Sequence, residues 1–295
     1  MIGHKKDIVI LLVLFVITIF CVRFFHKKMS DDQLVASIEP LSLVIPSPQA
    51  ILSVNRPAVL NKMILPMKNF EMIFSGHTPK LFHGLIQEND KFPAFLLVYY
   101  PEGVVMLSSM NQQHVKQIYD FLDCEFDYPA MEKTEYGITM HYYPDIKKQF
   151  LGCYYQNGMF VASYNNRLLK DIAQRQQYDR LQISPEIHQA VRDKGKNAAI
   201  NLYIPSATLN LYVQTSDSTE WRIENKWLSS DLFYNEGKVC CVNELKYEAA
   251  LDSIHFYQRL SDTIQVRMDH LLPQIKTTTQ VSHDEAVAYF TTCGQ

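Results

Sequence analysis

The residues best equipped for chemistry are few, and their spacing ties most of them to structure. Ser282-His283-Asp284-Glu285 places a hydroxyl, an imidazole and two carboxylates side by side, the ingredients of an acid-base cluster. Ser followed three residues later by Glu, ahead of Ala286-Val287, is also the capping box that opens a helix, and that is the expected role. His77 and His83 flank a helix start with no third ligand nearby, short of the set a zinc ion needs. Glu132 and Glu135 read as a solvated face. The chain has no G-x-S-x-G, no H-E-x-x-H and no G-x-x-x-x-G-K followed by Ser or Thr, so the compact nucleophile, zinc and phosphate motifs are missing. No catalytic residue, cofactor or metal ligand is assigned on this basis, and an enzyme with scattered residues stays open.

Cysteine and tyrosine remain. With Cys21 inside an apolar run, Cys124, Cys153, Cys240, Cys241 and Cys293 are an odd set, so at least one is unpaired or pairs between chains. Cys240 and Cys241 are neighbours in an expected strand and face opposite ways, which keeps both from one tetrahedral metal site. Buried free thiols are the expectation, with one disulfide in an oxidising compartment as the alternative. Among 17 tyrosines, the pairs Tyr99-Tyr100, Tyr142-Tyr143 and Tyr154-Tyr155 each end an expected strand just before turn residues. Alternation puts one ring of each pair into the core and one outward. Ordinary cross-strand packing at hairpin ends is the expected account; the alternative is that Tyr100, Tyr143 and Tyr155 gather on one surface and offer an interaction site for a glycan or a protein.

These side chains must be held by elements that start from a membrane. Ile8 to Val22 is apolar at every position except Thr18. With Phe24 and Phe25 it gives about 18 residues, roughly 27 Å of helix, close to one hydrocarbon thickness. Arg, two Phe, His and two Lys follow, where a leader peptidase would need small residues, so a retained signal anchor is expected over a cleaved leader. Basic residues nearly balance across the span, and the short tail ahead of it favours a body outside the cytoplasm. The expected arrangement is an anchor over 1–28, a stalk over 29–40, a first α+β unit over 41–180 and a second over 181–295. That second unit ends in a strand from Thr277 to Val281, then a helix from Ser282 that looks incomplete.

Within the first unit, Leu41–Pro46, Ala50–Val54, Phe95–Tyr100, Val104–Leu107, Gly137–Tyr143, Phe150–Tyr155 and Met159–Ser163 read as strands. Asn157-Gly158 is a strong hairpin signal, and Asn55-Arg56-Pro57, Thr78-Pro79 and Asn111 open helices, with another over Asn165–Gln177. In the second unit, Ser184-Pro185 opens a helix before strands at Ala198–Ile204, Glu220–Leu228, Leu232–Tyr234 and Val239–Leu245, and a helical face starts near Asp252. The fold class is α+β, with antiparallel, hairpin-rich sheets and flanking helices after one transmembrane helix.

The runs IPSPQAILSVNRPAVLNKM, AAINLYI, WLSSDLFYNEGKVCCVNEL and SIHFYQRLSDTIQ, the last leading to LLPQIKTTTQVSHDEAVAYF, give the chain a resemblance. In order and spacing it resembles an uncharacterised family of Gram-negative envelope proteins, a domain of unknown function with one N-terminal span and an exported α+β region. The resemblance covers most of 41–290. It implies an inner-membrane protein, single-pass, with its body in the periplasm, and implies no catalytic residue, cofactor or substrate. Members of that family continue past the L-P and S-x-D landmarks, whereas this sequence stops at Gln295.

Charge and composition narrow the partners. Hydrophobic residues make up 47% and charged residues 20%, a globular balance, and the net charge of −3 includes five basic residues flanking the span, so the body is more acidic still. With no Lys/Arg stripe, nucleic acid is not an expected partner. Two function classes follow: a membrane-anchored module that binds a protein or cell-wall glycan without catalysis, or a hydrolase or transferase acting on envelope polymers.

Overall fold

A computed structural model describes residues 15–25, 38–64, 79, 81–82, 84, 92–145, 149–178, 181–191, 197–205, 212–214, 220–222, 227–235, 238–246, 275–282 and 287–294. Residues 15–25 are helical, with Phe15, Phe20, Val22 and Phe24 exposed. Among the described residues, no helix is long and apolar enough to cross a membrane. His77 and His83, and the helix expected from Asp252, lie outside the described residues.

The fold is α+β, dominated by a large antiparallel sheet with few helices. Its first half runs β1 (Ala50–Val54), α1 (Pro57–Ile64), β2 (Phe95–Tyr100), β3 (Gly103–Ser109), α2 (Gln112–Glu125), β4 (Met131–Glu135), β5 (Ile138–Pro144), β6 (Phe150–Gln156), β7 (Met159–Ser163) and α3 (Asn166–Gln177). The second half adds α4 (Pro185–Val191), β8 (Ile200–Pro205), β9 (Tyr212–Gln214), β10 (Glu220–Arg222), β11 (Trp227–Asn235), β12 (Lys238–Lys246), β13 (Ile275–Ser282) and β14 (Val287–Gly294). Twelve strands form one sheet in the order β13-β14-β12-β11-β8-β1-β2-β3-β7-β6-β5-β4, and β9 pairs with β10 separately. Pairing of β1 with β8 carries the sheet across the boundary near residue 180.

Local chemistry starts and stops these elements. Pro57 opens α1, where its missing N–H has no helical partner to lose. Asn111 Oδ1 accepts from His114 N at 2.9 Å, and Asn165 Oδ1 accepts from the N–H groups of Arg167 and Leu168, so α2 and α3 are both side-chain capped. Asn157 and Gly158 adopt φ of 50° and 78°, the left-handed pair of a two-residue hairpin between β6 and β7. Tyr136 and Gly137 (φ 53° and 73°) make the same kind of turn between β4 and β5.

Both faces of the first half of the sheet are covered, which explains why β2 and β3 read as continuous apolar runs. Leu52, Leu97, Met106 and Phe160 pack on one face with Leu60 of α1 and with Val115, Ile118 and Leu122 of α2. Ile51, Val98, Val105 and Val161 pack on the other with Leu168, Leu169 and Ile172 of α3 and Ile187 of α4.

Two expectations are corrected. Leu41–Pro46 is not a strand: Pro40–Leu43 forms a turn of 3-10 helix, with proline in its first turn and Leu41 and Leu43 plugged into the α3-side core. The segment after Ser282 is not a helix. Val287–Gly294, rich in β-branched and aromatic residues, pairs on one side with β12 and on the other with β13, so it packs back on the body as a strand. Ladder hydrogen bonds on both edges outweigh a capping signal whose His283, Asp284 and Glu285 lie outside the described residues.

Candidate functional site

The three tyrosines proposed for an outward surface do not form one. Tyr100 is buried, accepting from Ile45 N at 2.9 Å and donating to Ile45 O at 3.2 Å. Tyr143 is buried against Phe126 and donates to Asp123 Oδ1 at 3.0 Å. Tyr155 is half-buried and donates to Met110 O at 3.0 Å. Each pair does straddle the sheet, as alternation requires: Tyr100 belongs to the α3-side core, while Tyr143 and Tyr155 belong to the α2-side core. No ring is left outward because helices cover both faces. Burial pushes the Tyr100 and Tyr143 phenols well above the ordinary tyrosine value, so they act as neutral hydrogen-bond donors.

Two side-chain rows run across the sheet and emerge at the β4 edge. On the α3 side, the register sets Val105 opposite Ser163, Ser163 opposite Gly152, Gly152 opposite Tyr142, and Tyr142 opposite Met131. A Cβ on Gly152 would lie 2.5 Å from Leu169 Cδ2 and 3.1 Å from Tyr142 Cε1. Glycine is therefore what lets α3 and the Tyr142 ring close over the strand. Tyr142 donates to Asn166 Oδ1 at 3.0 Å, tying its ring to the first residue of α3, and burial pushes its phenol up to about 12.

Past Tyr142 the row opens into a cleft of about 430 Å³ lined by Met131, Lys133, Tyr142, Gln149, Phe150, Tyr164 and Asn166. Phe150 is 43% exposed and Met131 54%, which leaves an apolar wall in water. Tyr164 is braced by Phe82 at 6.4 Å between ring centroids; burial first, then the Asp145 carboxylate, raises its phenol. Lys133 reaches the rim, where its ammonium meets Glu135 Oε1 at 2.5 Å. The other Glu135 oxygen meets Lys170 of α3 at 2.9 Å. Glu135 is thus not a solvated residue: its side chain is 15% exposed and clamps the edge strand to the helix, and the hydrogen bond from Lys133, then that from Lys170, holds its carboxyl below the usual range. Aromatic faces, an ammonium and two carboxamides can stack on and hydrogen-bond a polar ring. Among the described residues, the lining holds no carboxylate or imidazole for proton transfer.

The α2-side row holds what the sequence reading did not find. There Leu97, Met106, Ala162, Cys153, His141 and Glu132 stand opposite one another in turn. His141 Nδ1 lies 3.7 Å from Glu132 Oε1, and its ring packs on Tyr119 at 4.8 Å. A thiol, an imidazole and a carboxylate in line resemble a nucleophile, base and orienting group. Cys153 is fully buried, however, and burial raises its thiol well above the ordinary cysteine value, the opposite of activation. The row was traceable only by placing β4, whose residues Met131–Glu135 lack strand-forming character, beside β5.

No protein-family model and no curated protein matches the chain. Among solved structures, crystal forms I and III of TP0453 are similar, with TM-scores of 0.48 and 0.49 and 13% identity. The similar region covers 88% of this chain and 93% and 94% of theirs.

Proposed function

We propose that this protein is a membrane-tethered binding module of the bacterial envelope, which takes a glycan chain into the cleft beside β4. The observation that carries the reading is the lining of that cleft. Half-exposed Phe150 and the braced Tyr164 ring offer faces to the C–H side of a sugar, while Lys133, Gln149 and Asn166 suit its hydroxyls. The tether is the apolar run Ile8–Val22, read as one inner-membrane span with the body facing the periplasm; exposed Phe15, Phe20 and Phe24 in the helix over 15–25 support it. The resemblance to Gram-negative envelope proteins points the same way. Catalysis on envelope polymers is the weaker reading, since the Glu132–His141–Cys153 row ends on a buried, protonated thiol.

Photo-crosslinking in cells tests this, with the photoreactive group placed at Phe150 in the full-length chain and, as a control, at exposed Tyr178 on the far end of α3. The expected product is a smear from position 150 alone that collapses on treatment with a cell-wall glycan hydrolase. A discrete protein adduct at position 150 would replace the glycan with a protein partner, and equal labelling at both positions would remove the cleft from the account.

A further inference from the structure

We propose that Cys240 and Cys293 are joined in a cross-strand disulfide that fastens the C-terminal strand to the sheet. Antiparallel pairing of β12 with β14 sets Cys240 directly opposite Cys293. Opposed residues of an antiparallel pair share a face, with Cα atoms about 4.5 or 5.5 Å apart according to the type of pair. Both separations fall within the roughly 4.4–6.8 Å that a disulfide spans. The next residue along, Cys241, is opposed to Thr292 and belongs to the other face, so the adjacent thiol does not compete. Cys124 is an exposed free thiol at the end of α2, and Cys153 a buried free thiol on β6, several strands from β12 in the sheet order.

The register also supplies chemistry. Lys276 of β13 is the partner of Cys293 on its other side, placing a cationic residue in the same row. The thiolate is the form that attacks a disulfide. The reaction is thiol–disulfide exchange with a disulfide-bearing donor of an oxidising compartment. The Cys293 thiolate displaces one donor sulfur to form a mixed disulfide, then Cys240 displaces the second. Two electrons pass to the donor, which leaves as a dithiol with the two protons lost from the chain.

Formation in cells rests on the periplasmic placement proposed above, whereas the pairing itself does not, and the test separates them. Cysteines of the full-length chain are trapped by alkylation directly in cells. A second sample is purified reduced and treated with oxidised glutathione. Cleavage after Lys238, Lys246 and Lys276 leaves residues 239–246 and 277–295 as the peptides to be found linked, in the wild type and in Cys241→Ser. The pairing predicts the linked peptide, two hydrogens lighter than its parts, in both samples and both proteins, and its loss in Cys293→Ser. A link in vitro but none in cells would uphold the pairing and overturn the placement. A link that disappears in Cys241→Ser, or complete alkylation of Cys240 and Cys293 after glutathione treatment of natively folded chain, would overturn the pairing.

Discussion

Adding one methyl group at Gly152 should disturb the cleft and the core together. An alanine Cβ there would stand 2.5 Å from Leu169 Cδ2 and 3.1 and 3.3 Å from Tyr142 Cε1 and Cδ1, well inside van der Waals contact. Leu169 is fully buried, so its side chain must move against packed neighbours, and Tyr142 is held by its bond to Asn166. Overpacking of this kind costs about 1–3 kcal/mol. For a body of this size each kcal/mol is about 2–4 °C, so Gly152→Ala should lower the melting temperature by roughly 2–12 °C in thermal unfolding followed by circular dichroism. The cause can be isolated with a double-mutant cycle. Leu169→Ala alone removes a buried side chain at a cost of about 2–5 kcal/mol, but it also vacates the space the new methyl needs. Gly152→Ala should therefore cost less in the Leu169→Ala background than in the wild type. Equal costs in the two backgrounds, or a melting temperature unchanged by Gly152→Ala, would show that α3 does not close on β6 as described.

Further outcomes follow from named contacts. Asn165→Ala removes the cap of α3 and the bond from Asn165 Nδ2 to Glu102 O at 2.9 Å, and should cost about 1 kcal/mol in chemical denaturation. Glu135→Gln should cost about 1 kcal/mol at neutral pH. Because the folded carboxyl titrates below its ordinary value of 4.5, that stabilisation is full above 4.5 and is lost as pH falls through the lower folded value; the wild-type advantage should vanish in acid and persist at neutral pH. Reducing the proposed Cys240–Cys293 bond reopens a loop of roughly 50 residues and should lower stability by about 4 kcal/mol, an effect absent in Cys293→Ser. Protease added to spheroplasts should digest the body, and protection there would contradict the proposed periplasmic placement.

What could be read from the chain alone was what neighbours in sequence decide. Pro57, Asn111, Asn165 and Asn157-Gly158 announce helix starts and a hairpin because the cap or turn is made by the residues themselves. Tyrosine exposure was not legible, because whether Tyr100 or Tyr143 meets water depends on α2 and α3 returning over both faces of the sheet. The cleft was hidden for a related reason. It needs Met131 beside Tyr142, a pairing made by a polar, charged strand across a turn whose first left-handed position is held by Tyr136 rather than by glycine or asparagine, with Gly137 at the second. The Ser282 capping signal misled because a local motif competes poorly with a strand flanked by partners on both sides.

The central claim is that the Phe150 side of the cleft binds glycan, and calorimetric titration of the full-length chain in detergent micelles with soluble cell-wall glycan fragments addresses it directly. The account predicts saturable binding, weakened about tenfold in Phe150→Ala, a loss of about 1.4 kcal/mol that fits one stacked ring, at an unchanged melting temperature because Phe150 is 43% exposed. His141→Ala, on the opposite face of the sheet, should bind as the wild type does. Equal affinity for wild type and Phe150→Ala, or no heat at millimolar fragment, would contradict it.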